Sequence, residues 1–137
     1  MESITIFAEP VTSSAAAQVA IIAVLLLIAL DVIFGCGNAI AHHAFSSEKM
    51  REGMAHKAAE IGFVLVGIIA DACILGGFDL GYSAPILTSV CLYLALMEIA
   101  SLLETFAQMN PQLANSPVFR LLKSIEGIAT HDESGRV

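Results

Sequence analysis

The sequence predicts an all-α integral membrane protein of three transmembrane helices, followed by a short amphipathic helix. Three observations carry that prediction. Hydrophobic residues make up 57% of the 137 residues and charged residues only 14%, against about 25% charged in a typical soluble domain. The apolar residues gather into three runs, each close to the ~20 residues that cross ~30 Å of hydrocarbon at 1.5 Å per residue. None of the runs shows the alternation of period two that a half-buried strand needs. As a soluble monomer so short a chain would show much apolar surface to water, a problem that a bilayer removes. Mean hydropathy is +0.81.

The elements follow in order. Residues 1–14 are polar or mixed, with Pro10 and a Thr12-Ser13-Ser14 cluster. They read as a flexible arm ending in a helix start. The first run, residues 15–34, is broken only by Gln18 and Asp31 and predicts a span over about 15–36. The arm carries Glu2 and Glu9 but neither Lys nor Arg. It therefore lacks the positive region of a cleaved signal peptide, and the first run is expected to stay in the membrane. Residues 39–60 are polar and charged. Ser46-Ser47 before Glu48-Lys49-Met50-Arg51-Glu52 reads as an N-cap. A helix is expected from about Glu48, running straight into a second span over about 58–78, which is broken by Asp71. Residues 77–83 hold Gly77, Asp79 and Gly81 and read as a tight turn. A turn that short makes the second span an antiparallel neighbour of the third, at about 84–104, which Glu98 interrupts.

The transmembrane domain thus covers residues 15–104, and a tail covers 105–137. In the tail, Asn110-Pro111 and Asn115-Ser116-Pro117 are breakers. Ser116 then suits the cap of a new helix over about 117–128, with Pro117 in its first position. Val118, Leu121, Leu122, Ile125 and Ile128 recur at helical spacing, while Arg120, Lys123 and Glu126 point elsewhere. Such a helix lies on the membrane surface or packs on a partner. Disorder is expected from Thr130 onward.

Charge sets an orientation. The net charge of −7 gives no footprint for nucleic acid. Lys49, Arg51 and Lys57 lie in the first connector, and Arg120, Lys123 and Arg136 in the tail. Three spans put both groups on one side, which the positive-inside rule makes cytoplasmic. The N-terminus is then outside and the C-terminus inside. Three cysteines, Cys36, Cys73 and Cys91, cannot all pair within the chain. They read as small apolar side chains in helices.

Asp31, Asp71 and Glu98 are the informative residues, because a charge at mid-bilayer costs about 2.5–3.5 kcal/mol on insertion scales. Asp71 is expected to lie deepest, with Asp31 and Glu98 nearer the cytoplasmic side. No Lys or Arg falls inside the predicted spans. The acids are therefore expected to be protonated, solvated, or hydrogen-bonded to Gln18, Asn38, Ser89 or Ser101. They line a water-contacting path or, as neutral carboxyls, hold helices together. Ala58/Gly62 and Ala72/Gly76 are small-xxx-small pairs that let helices approach closely. His42, His43 and His56 show no closed metal-ligand set, and no metal or cofactor is expected. No nucleophile, Walker or dinucleotide-binding signature is present, so no enzyme is expected.

The residues resemble a family, the phage-lysis and toxin-secretion holins of Gram-positive phages and toxin loci. Asp31 closes the first span with Gly35 four residues on. The connector Ser46-Ser47…Lys49-x-Arg51-x-Gly53…Lys57 leads into a span with an internal Asp71. Glu98-Ile99-Ala100-Ser101-Leu102-Leu103-Glu104 precedes Asn110-Pro111. Thr105 stands where the family usually has asparagine, and Met109-Asn110 where a glycine is common. The resemblance implies a small protein of the host inner membrane that forms homo-oligomers and opens lesions. Endolysin or toxin then passes to the cell wall as cargo. It makes Asp31, Asp71, Glu98 and Glu104 the pore or gating candidates. A small ion channel or transporter using the intramembrane acids, or a non-catalytic anchor subunit of a larger complex, are the other readings.

Overall fold

The computed structural model describes residues 2–77 and 85–130, with side chains described for 5–77, 85–117 and 119–124. Six helices follow one another: α1 (Glu2–Thr12), α2 (Ala15–Ala41), α3 (Ser47–Leu75), α4 (Ile86–Met109), α5 (Pro111–Ala114) and α6 (Pro117–Thr130). No strand occurs among the described residues. α2, α3 and α4 are long and apolar enough to cross a membrane. Their 27, 29 and 24 residues make rods of about 36 to 43 Å at 1.5 Å per residue. The protein is an all-α, three-span membrane protein.

Local chemistry sets the helix ends. Ser14 caps α2, its hydroxyl accepting from the Ala17 N–H at 3.3 Å. Asn110 caps α5 by accepting from the Gln112 N–H at 3.1 Å, and Ser116 accepts from the Phe119 N–H at 3.2 Å. Each satisfies one of the donors that a helix start leaves open. Ser46 stands at the N-cap of α3, but its hydroxyl makes no capping bond. α3 runs unbroken from the charged connector into its apolar half. It stops at Gly76, and Gly77 follows at φ +100, a left-handed conformation that glycine adopts without a Cβ clash.

α4 is the central element and packs along both α2 and α3. Its contacts with α3 pair Lys57 with Glu98, Gly67 with Leu87 and Asp71 with Ile86. Residue numbers rise on one helix as they fall on the other, so the pair is antiparallel. α2 runs parallel to α4, with Phe34 edge-on to Phe106 and Asn38 Nδ2 donating to Gln108 Oε1 at 2.8 Å. Val24 and Ile28 of α2, Val64 of α3, and Leu87, Cys91 and Leu94 of α4 form the buried core. α6 also packs on α4, and Phe119 is buried.

Two expectations change. The N-terminal arm is not irregular: residues 2–12 form α1, which packs on α3 and α2, with Val11 against the core. Pro10 argues for a breaker, yet it sits near the helix end. Of the three acids Asp71 stands nearest a helix end. It lies four residues before the end of α3, about 6 Å along the axis. The turn expected over residues 77–83 lies, beyond Gly77, outside the described residues, as does the tail after residue 130.

Candidate functional site

The three spans converge on one side chain, Lys57. Its Nζ donates to Glu98 Oε1 and Oε2 at 2.6 and 2.7 Å. Asp31 Oδ2 lies 2.9 Å away and Glu60 Oε2 3.5 Å away. Glu60 Oε1 in turn meets His56 Nε2 at 3.1 Å. The side chains are 12% (Lys57), 13% (Asp31), 7% (Glu60) and 2% (Glu98) exposed, so solvent screens them little. Asp31 comes from α2, Lys57 and Glu60 from α3, and Glu98 from α4. One ammonium therefore ties all three spans together.

The fold makes this possible by register. Glu98 lies halfway along α4, with 12 residues before it and 11 after. Asp31 lies ten residues before the end of α2, and Lys57 ten after the start of α3. The ends at Ala41 and Ser47 are joined by a short link, so both residues fall at one level. Lys57 and Glu60, one turn apart, share the face turned to α4. The expectation that no basic residue neutralises the acids is thereby corrected. Lys57 belongs to the apolar bundle, not to the solvated connector, and is not a free orientation-setting charge. Gln18, Asn38 and Ser89 bond elsewhere, to Thr12 O, Gln108 and Pro85 O.

Asp71 has a different task. Its Oδ1 accepts from the Ile86 N–H at 3.0 Å and its Oδ2 from the Leu87 N–H at 3.1 Å. These are two of the open donors at the start of α4, and a carboxylate there also suits the positive end of the helix dipole. Asp71 is a cap supplied from the neighbouring helix. Glu104 is exposed on α4 and is not brought to the cluster.

The small residues divide as well. Ala72 is buried, Ala58 and Gly76 are exposed, and a Cβ on Gly62 would meet nothing within 4 Å. The close approach falls at Gly67, where a Cβ would stand 3.1 Å from the Leu87 Cα. Pair counting misses it because Gly67 has no small residue four positions away.

Two clefts flank Lys57. A polar one of about 470 Å³ is bordered by Glu52, His56 and Glu60 of α3 and by Glu98 and Ser101 of α4. An apolar one of about 260 Å³ lies between α2 and the first turns of α3. Among the described residues no His, Cys, Asp or Glu group is arranged to hold a metal. The cluster can hold helices together, and it can carry charge or a proton where lipid would not.

A family comparison fits this architecture. The bacteriophage holin family matches residues 13–123, from the start of α2 into α6. The chain belongs to the bacteriophage holin family. In this holin the matched segment contains every residue of the Lys57 cluster. No curated protein and no solved structure matches the chain.

Proposed function

We propose that this holin accumulates in the bacterial inner membrane, oligomerises, and opens lesions through which an endolysin or a toxin reaches the cell wall. The observation that carries the reading is the family match over three membrane-spanning helices. The polar cleft supports the oligomeric part. Glu52, His56, Glu60 and Ser101 border an open cleft on helices that cross a bilayer. Polar groups of that kind are costly against lipid, so the cleft is covered by water or by a second copy. The resting form is the clasped one, with Lys57 holding Asp31 and Glu98. The N-terminus lies outside and the C-terminus in the cytoplasm, set by Lys49, Arg51, Arg120 and Lys123. The protein carries out no catalysis.

The test is culture turbidity during induced expression, with and without a cytoplasmic muralytic enzyme that lacks an export signal. Abrupt, delayed lysis only with the enzyme is the expected result. Growth arrest that the enzyme does not convert to lysis would replace the lesion with a narrow ion leak. Normal growth with good membrane expression would leave an anchor subunit instead.

A further inference from the structure

The apolar cleft is a groove with a definite lining and depth. Val32, Cys36 and Ala39 of α2 form one wall, Met50 and Met54 of α3 the other, and Phe45 closes the end. Gly35 and Gly53 line it, and a Cβ on either would meet nothing within 4 Å. Its inner limit is the Asp31–Lys57 ion pair and its outer limit is Ser46 and Lys49.

Register gives the depth. On α2 the exposed large apolar side chains run from Val19 to Ile40, about 31 Å along the axis, which is the thickness of the hydrocarbon layer. Asp31 lies nine residues inside Ile40, about 13 Å, and so near the middle. From Lys57, at the level of Asp31, to Lys49 is eight residues of α3, about 12 Å. One leaflet is about 15 Å deep. On the α2 register the groove runs from mid-bilayer to the headgroup level, with the exposed Glu52 and His56 of α3 on the side of the polar cleft. An apolar groove open to hydrocarbon fills with lipid, because lipid is its solvent.

The mouth selects the headgroup. Lys57 is committed to the acids, whereas Lys49 makes no ion pair among the described residues. The Ser46 hydroxyl beside it makes no capping bond. Lys49 borders the polar cleft as well; toward the groove it offers one ammonium without an ion pair, beside one hydroxyl, where a phosphate would sit, and apolar walls where an acyl chain would lie. We propose that the α2–α3 groove binds one anionic phospholipid, its headgroup at Lys49 and an acyl chain between Val32, Cys36 and Met54. Basic pockets between spanning helices take anionic headgroups in this way. The two methionines suit a chain of variable shape.

The test uses full-length protein in phosphatidylcholine bilayers, with spin-labelled phosphatidylglycerol and spin-labelled phosphatidylcholine as probes. One lysine near the surface corresponds to roughly a fivefold preference for the anionic lipid. Wild-type protein is expected to show it and Lys49→Gln to lose it. Gly53→Leu, whose Cβ meets nothing within 4 Å, puts a branched side chain into the groove and is expected to remove the preference. Gly62→Leu, on the same helix and equally open but outside the groove, is expected to keep it. Equal affinity of the wild type for both probes would overturn the proposal. So would identical behaviour of the two leucine variants. A change in cross-linked oligomer size on Gly53→Leu alone would also overturn it, by showing that a second copy occupies the groove.

Discussion

Lys57 is the residue on which most depends. Taking a lysine and three carboxylates out of water is costly, and the 2.6–2.9 Å contacts to Glu98 and Asp31 are what offset it. Removing one partner leaves the others buried and uncompensated, a loss of about 3–5 kcal/mol. Lys57→Met is therefore expected to lower the thermal midpoint of the detergent-solubilised protein well below that of wild type. Lys57→Met combined with Glu98→Met should recover part of the loss, because the most buried orphan carboxylate is gone. Additive losses in the double variant would mean that the two residues do not act as a pair. Asp71 gives a second residue-scale prediction. Asp71→Ala strips two N–H acceptors from the start of α4, a loss of about 0.5–2 kcal/mol for a helix cap. Hydrogen exchange at Ile86 and Leu87 should accelerate at least severalfold while exchange at mid-α4 stays slow. Unchanged exchange at both amides would remove the cap assignment.

At the scale of elements, packing decides which glycine matters. On α3, a methyl group added to Gly67 would stand 3.1 Å from the Leu87 backbone, whereas one added to Gly62 would face open space. Gly67→Ala needs the Leu87 backbone to give by a few tenths of an ångström, and overpacking of about 1–3 kcal/mol there is set against a helix-propensity gain of about 0.8–1 kcal/mol. Gly62→Ala meets nothing and gains helix propensity, about 0.8–1 kcal/mol. The thermal midpoint of Gly67→Ala should therefore fall below that of Gly62→Ala, and equal midpoints would remove the close α3–α4 approach at Gly67. The contrast also shows what the sequence can reveal. The three long helices are legible in it, because run length and composition respond to the bilayer and not to neighbours. The capping roles of Ser14 and Ser116 are legible too, being local chemistry. The partner of Asp31 and Glu98 is not. Lys57 precedes the apolar run by four residues, so hydropathy assigns it to the connector, and only the register between α2 and α3 brings it back to mid-bundle. Asp71 errs in the opposite sense. Counting from the start of the apolar run puts it deep, whereas α4 begins beside it and offers N–H groups. α1 escapes a sequence reading because Pro10 outweighs the helical spacing of Ile4, Phe7 and Val11.

At the scale of the whole molecule, the clasp is the principal link between α2 and α3. Each packs on α4, and they have little direct backbone approach of their own. Breaking the ammonium's contacts leaves α2 and α3 joined mainly through α1 and α4, whereas loosening Asp71 frays only one helix start. On the α2 register that sets the depth of the proposed groove, the cluster lies near mid-bilayer. A unit charge moved through half the membrane feels about 1 kcal/mol per 100 mV, roughly sixfold in a two-state population. Timing of the proposed lesion should therefore follow the cluster and not the cap. In cells carrying the muralytic enzyme, Lys57→Met is expected to lyse earlier than wild type, and Asp31→Asn with Glu98→Gln, which removes two of the cluster's acidic charges, to respond less to an uncoupler. Asp71→Asn keeps one carbonyl acceptor and should retain wild-type sensitivity to the uncoupler. Immunoblots of the membrane fraction separate early triggering from altered accumulation. If Lys57→Met reaches wild-type levels yet lyses on the wild-type schedule, the clasp holds the fold together but sets no clock. If Asp71→Asn alone shifts the uncoupler response, the voltage-sensitive charge lies at the α3–α4 end of the bundle.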